Sequence, residues 1–127
     1  MFRAGGANVN ILVADDDRAF SLMVCTVLKE GGHMAVPAFD SIQAFMYAMR
    51  QELHMVLLDI NMPGGTGLSV LRKLRGSSKT ASLPVIVISA NTDPELPVTV
   101  ATLGALRFIS KPIDPDDLLA AVAEVFK

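Results

Sequence analysis

The strongest constraint on the fold of this chain is a series of short apolar runs, each followed by polar residues. Aliphatic and β-branched residues fill five such runs, a composition typical of buried strands. The runs are residues 9–14 ("VNILVA"), 34–39, 55–58, 84–89 ("PVIVIS") and 106–110. Because strands that alternate with helices pair in parallel, the pattern predicts one doubly wound α/β domain, with a five-stranded parallel sheet and helices on both faces. Pro37 predicts that the second strand lies at a sheet edge.

Apolar residues recur at helical spacing between the runs. The predicted core-facing residues of four helices are Phe20, Met23, Val24, Val27 and Leu28; Ile42, Phe45, Met46 and Met49; Leu68, Leu71 and Leu74; and Leu118, Leu119, Val122, Val125 and Phe126. Arg72, Lys73 and Arg75 occupy the other face of the third helix. The second helix can be capped by Asp40 or Ser41. The last helix can be capped by Asp114, with Pro115 at its first helical position.

The segment "NTDPELPVTVATLGA" departs from a regular helical pattern. Asp93 and Pro94 resemble a cap and a first helical residue, but Pro97 would then lack a needed backbone N–H. We predict that regular helix begins near Pro97 and extends for only about two turns, to Leu103.

Composition excludes several classes of function. The 127 residues are 51% hydrophobic, enough for one core, and 11 basic against 13 acidic residues give a net charge of -2 without a basic patch for nucleic acid or membrane lipid. No segment resembles a signal peptide or membrane span, so we expect a cytoplasmic protein with residues 1–8 as a flexible lead-in and 9–127 as the domain. Cys25 is predicted to be buried, and His33 and His54, at strand starts, to be solvated or capping.

Polar residues follow four of the predicted strands. They are Asp15, Asp16 and Asp17; Asp59 and Asn61; Ser89 and Asn91; and Lys111 and Pro112. Parallel strands bring their carboxyl ends to one edge of the sheet, where doubly wound folds bind ligands. We therefore expect these residues to gather in one site.

The charges of that site favour a divalent cation. Asp15, Asp16 and Asp59 with Lys111 leave a local charge of about -2, and like charges about 4 Å apart repel by roughly 4 kcal/mol at an intermediate dielectric. Carboxylate oxygens without clustered imidazole or thiolate select Mg²⁺, or Mn²⁺, over zinc. A carboxylate beside Mg²⁺, a hydroxyl and a lysine is suited to accept a phosphoryl group.

The segments "ILVADDD", "VLLDINMPGGTGL", "VIVISAN" and "GALRFISKPID" resemble the receiver domains of two-component response regulators, in order and spacing. The resemblance covers nearly the whole chain and implies the flavodoxin-like strand order 2-1-3-4-5. It also implies a signalling module, not an enzyme, whose only chemistry is its own phosphorylation and dephosphorylation.

The resemblance assigns roles to individual residues. Asp59 matches the phosphoacceptor, Asp15 and Asp16 the acidic pair that holds Mg²⁺, and the backbone carbonyl of Asn61 a further metal ligand. Lys111 matches the phosphate-binding lysine, followed by a cis bond to Pro112. Ser89 and Phe108 match the switch pair, although Phe108 is also suited to a plain core position. Asp17 matches no site role and is interpreted as a helix cap.

The family implies protein partners: a sensor histidine kinase or histidine phosphotransfer protein as donor, and a downstream target or an output domain beyond Lys127. Three alternatives stay open at this point. They are a degenerate receiver that only binds proteins, a Mg²⁺-dependent phosphatase of the haloacid dehalogenase type, and a flavin mononucleotide-binding protein. A phosphatase of this type usually has a second acid two residues after its nucleophile, but the residue two after Asp59 is Asn61. For the flavin-binding alternative, three aspartates in the first loop would repel the phosphate of the flavin.

Overall fold

The computed structural model describes residues 8–64 and 66–126, which form one parallel sheet of five strands and five helices. The strands are β1 (Asn10–Ala14), β2 (Met34–Ala38), β3 (Met55–Leu58), β4 (Val85–Ser89) and β5 (Arg107–Ser110). The helices are α1 (Arg18–Glu30), α2 (Ser41–Arg50), α3 (Gly67–Gly76), α4 (Leu96–Thr102) and α5 (Pro115–Val125). The sheet order β2-β1-β3-β4-β5 confirms the predicted fold. Of the predicted lead-in, residues 1–7 lie outside the described residues.

The sheet places its proline at an edge, as predicted. Pro37 is the register partner of Val13, and β2 is the outermost strand on that side. A residue without an N–H is tolerated there because it need not donate to a strand on the far side. The central strand β3 is buried along its whole length.

Two apolar layers cover the two faces of the sheet, which confirms the doubly wound arrangement. Leu58 belongs to the layer formed with α2, α3 and α4, and Ile11 to the layer formed with α1 and α5. Cys25 lies in the second layer, where burial raises the pKa of its thiol. In the described part of the chain, no helix combines the length and apolarity needed to cross a bilayer.

Side-chain caps begin four of the helices, including the three predicted ones. Each cap accepts a hydrogen bond from a backbone N–H two or three residues later: Asp17 from Phe20, Asp40 from Gln43, Thr66 from Ser69 and Asp114 from Asp116. The two histidines have the predicted capping role at the start of β1. Nδ1 of His54 accepts from the N–H of Asn10 at 2.9 Å, and Nδ1 of His33 accepts from Val9.

The predicted core face of α2 is wrong in part. Ile42, Met46 and Met49 are 64%, 40% and 37% exposed, whereas Ala44 and Ala48 are buried. Because alanines permit a close approach of the helix backbone to the sheet, the inward face of α2 is narrow and the longer side chains lie outside it.

Arg75, predicted on the face of α3 opposite its core residues, is half-buried and makes several hydrogen bonds. Its guanidinium donates to the carbonyl oxygens of Leu83 at 2.8 Å and Gly104 at 2.9 Å, and more weakly to those of Thr80 and Ala81. Arg75 thus ties the end of α3 to the loops that precede β4 and β5. Burial lowers the pKa of its guanidinium, which remains charged at neutral pH.

Helix α4 is as short as predicted and begins at Leu96, one residue before Pro97. It contains seven residues, and its N-cap residue Glu95 makes no side-chain capping bond. Leu96 and Val100 are buried, so packing against the sheet, rather than capping, holds this helix in place.

Candidate acidic site at the carboxyl ends of the strands

Three carboxylates meet where β1 and β3 end. Asp15 directly follows β1 and Asp59 directly follows β3, and one carboxylate oxygen from each of Asp15, Asp16 and Asp59 lies within 4.8 Å of the others. The N–H of Asp59 donates to the carbonyl of Ala14 at 2.8 Å, so the strand pairing continues to the acid itself. The sheet therefore fixes the backbone of the central carboxylate.

Lys111, which directly follows the outermost strand β5, lies beside these acids. Its Nζ lies 2.6 Å from Oδ2 of Asp15 and 3.4 Å from Oδ2 of Asp59. The backbone N–H of Lys111 donates to the carbonyl of Ser89 at 2.9 Å, and its bond to Pro112 is cis, as the family resemblance implied. The three side chains are largely withdrawn from water, with 16% of Lys111, 3% of Asp15 and 9% of Asp59 exposed.

Burial affects the two members of the closest ion pair differently. Desolvation raises the pKa of the Asp15 carboxyl, with the nearby charge of Asp59 adding to the effect, and the hydrogen bonds from Lys111 and Asp17 only partly oppose it. Desolvation alone would lower the pKa of Lys111, but the hydrogen bond and charge of Asp15, together with Asp59, raise it overall. The less exposed partner, Asp15, thus bears the greater penalty for being charged.

Backbone N–H groups fix the orientation of both buried carboxylates. Oδ1 of Asp15 accepts from the N–H of Asp17 at 2.9 Å, and Oδ1 of Asp59 accepts from the N–H of Asn61 at 3.2 Å. Asp16, within the first of these turns, is exposed. Asn61 is exposed as well, and its N–H rather than its side chain contacts the acid.

The loop after Asp59 depends on Gly67, a residue to which the sequence motifs assigned no role of its own. A Cβ atom at Gly67 would lie 2.5 Å from the carbonyl oxygen of Asp59 and 2.6 Å from the Cα of Ile60. The N–H of Gly67 also donates to the carbonyl of Ile60 at 2.7 Å. Only glycine permits this close approach of α3 to the strand end, and its place directly after the capping Thr66 was the available signal.

The predicted switch residues lie on neighbouring strands. Ser89 is fully buried at the end of β4, and half-buried Phe108 in β5 is the register partner of Val87. The ring of Phe108 packs against the same apolar layer as Leu96 and Val100 of α4. The sheet therefore brings both residues towards the fourth helix.

A chain of hydrogen bonds connects Ser89 with the start of α4. The hydroxyl oxygen of Ser89 accepts from the N–H of Asn91 at 3.1 Å. The side chain of Asn91 then accepts from the N–H of Asp93, and that of Asp93 from the N–H of Glu95, both at 2.9 Å. A displacement of the Ser89 hydroxyl would break the first of these bonds.

The donor set is suited to a hard divalent cation. Asp15, Asp16 and Asp59 offer oxygen ligands close enough to share one ion, and the group contains neither histidine nor cysteine. A bound divalent cation would offset the charge that Lys111 leaves uncompensated. The acidic cluster thus fits the predicted cation chemistry.

A sheet of this order with acids at its carboxyl edge defines a class of signalling domain. The sequence profile of the response regulator receiver domain matches residues 11–123, and the chain belongs to this family. It is a receiver domain of two-component systems, as its motifs indicated.

Individual relatives agree with this assignment. The chain is 32% identical over 117 residues to the phosphate regulon transcriptional regulatory protein PhoB of Escherichia coli (strain K12), a match that covers 92% of this chain and 51% of that protein. It therefore spans about half the length of the curated relatives it matches.

Solved structures agree in fold. A response regulator receiver protein from Pseudomonas putida superposes with a TM-score of 0.87 at 34% identity, covering 93% of this chain and 98% of that one. The chemotaxis response regulator CheY4 of Vibrio cholerae gives a TM-score of 0.88 at 26% identity, covering 94% and 100%.

Proposed function

We propose that Asp59 is the phosphoacceptor of this receiver domain and takes its phosphoryl group from a phosphohistidine. The observation that carries the proposal is the convergence of three carboxylates and the Lys111 ammonium at one strand edge. The donor would be a sensor histidine kinase or a histidine phosphotransfer protein, and the chemistry would be confined to the domain's own modification.

The contacts of the three acids favour Asp59 as the nucleophile. Both oxygens of Asp15 accept short hydrogen bonds, at 2.9 Å from Asp17 and 2.6 Å from Lys111. The corresponding contacts of Asp59 are longer, at 3.2 Å and 3.4 Å, which leaves its oxygens freer to attack phosphorus. Asp16 is exposed and lacks a comparable platform.

Transfer would form a bond between a carboxylate oxygen of Asp59 and phosphorus while the phosphorus–nitrogen bond to the histidine breaks. The imidazole nitrogen retains the electron pair of that bond and acquires a proton. Lys111, already beside Asp59, would turn its ammonium to the incoming phosphoryl oxygens and stabilise their charge. Asp15, Asp16, Asp59 and the carbonyl of Asn61 would hold Mg²⁺, or Mn²⁺, which supplies further positive charge for the phosphoryl oxygens.

The signal would pass from the acid to the fourth helix through Ser89 and Phe108. A phosphoryl group on Asp59 offers oxygens that attract the Ser89 hydroxyl, and this competes with its bond to the N–H of Asn91. Loss of that bond loosens the β4–α4 loop, while Phe108 repacks beside α4. The altered surface would then bind a protein target or an output domain.

Intact-protein mass spectrometry after incubation with acetyl phosphate tests this function. We expect one phosphoryl adduct on the wild type with Mg²⁺, none with a chelator, and none on Asp59→Asn. Measurement within seconds of mixing guards against loss by hydrolysis, and a thermal melt establishes that Asp59→Asn is folded. A wild type without an adduct under these conditions would favour a degenerate receiver that acts only by binding proteins.

A further inference from the structure

The ring of Phe20 lies against the ammonium of Lys111. The distance from Nζ to the ring centroid is 4.2 Å, within the range of about 6 Å over which an aromatic face attracts a cation. Phe20 was predicted only as a core residue of α1, and neither its helical spacing nor the family motifs indicated this contact.

The ring adds an aromatic contact to the two carboxylates beside the Lys111 ammonium. Asp15 and Asp59 contact Nζ through their carboxylates, and the ring of Phe20 contacts it as well. A lysine has a flexible four-carbon stem and gains little orientation from its stem alone. An aromatic face therefore restricts the positions available to Nζ without adding a competing hydrogen-bond acceptor.

Local structure holds the ring in place. The N–H of Phe20 donates to the capping carboxylate of Asp17 at 3.0 Å, which sets the first turn of α1. The ring packs against the apolar layer that contains Val24, and it lines one small cavity together with Asp15 and Asp59. Phe20 is thus anchored on the sheet side and faces the acids.

We propose that Phe20 is a positioning residue for phosphoryl transfer, holding the Lys111 ammonium where it stabilises the charge on the incoming phosphoryl group. The inference rests on the proposed function of Asp59 and Lys111. Phe20 itself contacts neither the donor nor the phosphorus and acts only through the lysine. An aromatic ring at this position should therefore support faster transfer than a purely apolar side chain.

Substitutions at Phe20 separate a ring requirement from a packing requirement. Phe20→Leu and Phe20→Met keep an apolar side chain and remove the aromatic face, whereas Phe20→Tyr keeps the face. At saturating Mg²⁺, we expect phosphorylation by acetyl phosphate to slow about fivefold in the first two and to stay within twofold of wild type in the third. Val27→Ala, in the same helix and layer, is the matched control for lost packing and should leave the rate unchanged.

Nuclear magnetic resonance of the metal-free protein supplies a readout that is independent of the reaction. The ring should shift the ε-methylene protons of Lys111 upfield in the wild type and in Phe20→Tyr, and the shift should be lost in Phe20→Leu. The proposal is overturned if Phe20→Tyr is as slow as Phe20→Leu, or if Phe20→Leu is as fast as a wild type that phosphorylates normally. A wild type that accepts no phosphoryl group would instead overturn the proposed function, and the role of Phe20 with it.

Discussion

Nζ of Lys111 lies 2.6 Å from Oδ2 of Asp15, although 96 residues separate the two in sequence. Asp15 follows β1 and Lys111 follows β5, strands that β3 and β4 separate in the sheet. The pair therefore extends across the edge where Asp59 lies, and it joins the beginning and the end of the chain. Its charges affect stability as well as chemistry.

Neutralising Asp15 should stabilise the fold at neutral pH. The pKa of Asp15 is raised in the folded state, mainly by burial, so its ionised form is less favourable there than in the unfolded chain. The folded state then binds the proton of Asp15 more tightly than the unfolded chain does. The resulting loss of folding stability is fully present above the raised pKa and absent below the ordinary value of 3.8. We expect Asp15→Asn to be more stable than wild type at pH 7, and the gain to vanish as the pH falls towards that ordinary value.

Urea titrations of the two proteins across this pH range measure the effect. A variant that is less stable than wild type at pH 7 would mean that the ion pair with Lys111 outweighs the desolvation of Asp15.

Replacing Arg75 should loosen the loops that precede β4 and β5. Its guanidinium donates to the carbonyls of Leu83 and Gly104, so Arg75→Gln leaves these acceptors without their charged donor. We expect a loss of about 1–3 kcal/mol in the free energy of unfolding, measured by urea denaturation. Arg72→Gln, the same change at an exposed position of the same helix, is the control and should cost less than about 0.5 kcal/mol. Equal losses would contradict a bridging role for Arg75.

The fourth helix should open more readily than the others in the unphosphorylated protein. It has seven residues, no side-chain capping bond and a proline at the start. Val98, Thr99 and Thr102 contribute weak helix propensity, so only Leu96 and Val100 anchor it by burial. We expect faster amide hydrogen exchange over residues 96–103 than over α1. Protection throughout residues 93–103 that matches α1 would contradict this prediction.

The adjacent acids Asp16 and Asp17 should differ in function. Asp16 offers its carboxylate to the acidic cluster, whereas Asp17 caps α1 by accepting from Phe20. Asp16→Ala should abolish Mg²⁺-dependent phosphorylation, and Asp17→Ala should retain most of the rate while losing about 1 kcal/mol of stability. Phosphorylation kinetics with acetyl phosphate, together with thermal melts, measure both effects. Equal losses of rate would contradict the assignment of Asp16 as the metal ligand.

Hydrophobic pattern was sufficient to predict the sheet because buried strands need continuous apolar residues and their ends need polar ones. Parallel pairing predicted that the strand ends bearing Asp15, Asp59 and Lys111 share one edge, and the family resemblance implied the strand order that brings them together. The pattern failed for α2, since both Ala44 and Met46 are apolar and periodicity does not reveal which side packs closely. Helix spacing placed Arg75 opposite the core residues of α3, but it carries no information on a long side chain that folds back to loop carbonyls.

Close contacts of the backbone and of aromatic rings were also hard to predict from the sequence. Gly67 is required because a Cβ atom there would collide with the backbone of Asp59, and this closeness depends on the path of the intervening loop. Phe20 satisfies a core pattern whether or not a cation lies on its ring. The contact between Phe20 and Lys111 joins segments far apart in sequence, and the packing of the finished fold determines both contacts.

Locating the phosphorylated residue tests the assignment of Asp59 most directly. Borohydride reduces an aspartyl phosphate to homoserine, and peptide mass spectrometry then identifies the modified position in protein treated with acetyl phosphate and Mg²⁺. We expect homoserine at residue 59 and none at residues 15, 16 or 17, with no modification in Asp59→Asn. Homoserine at residue 15 or 16 in the wild type, or an unmodified residue 59 in protein that carries the phosphoryl mass, would contradict the assignment.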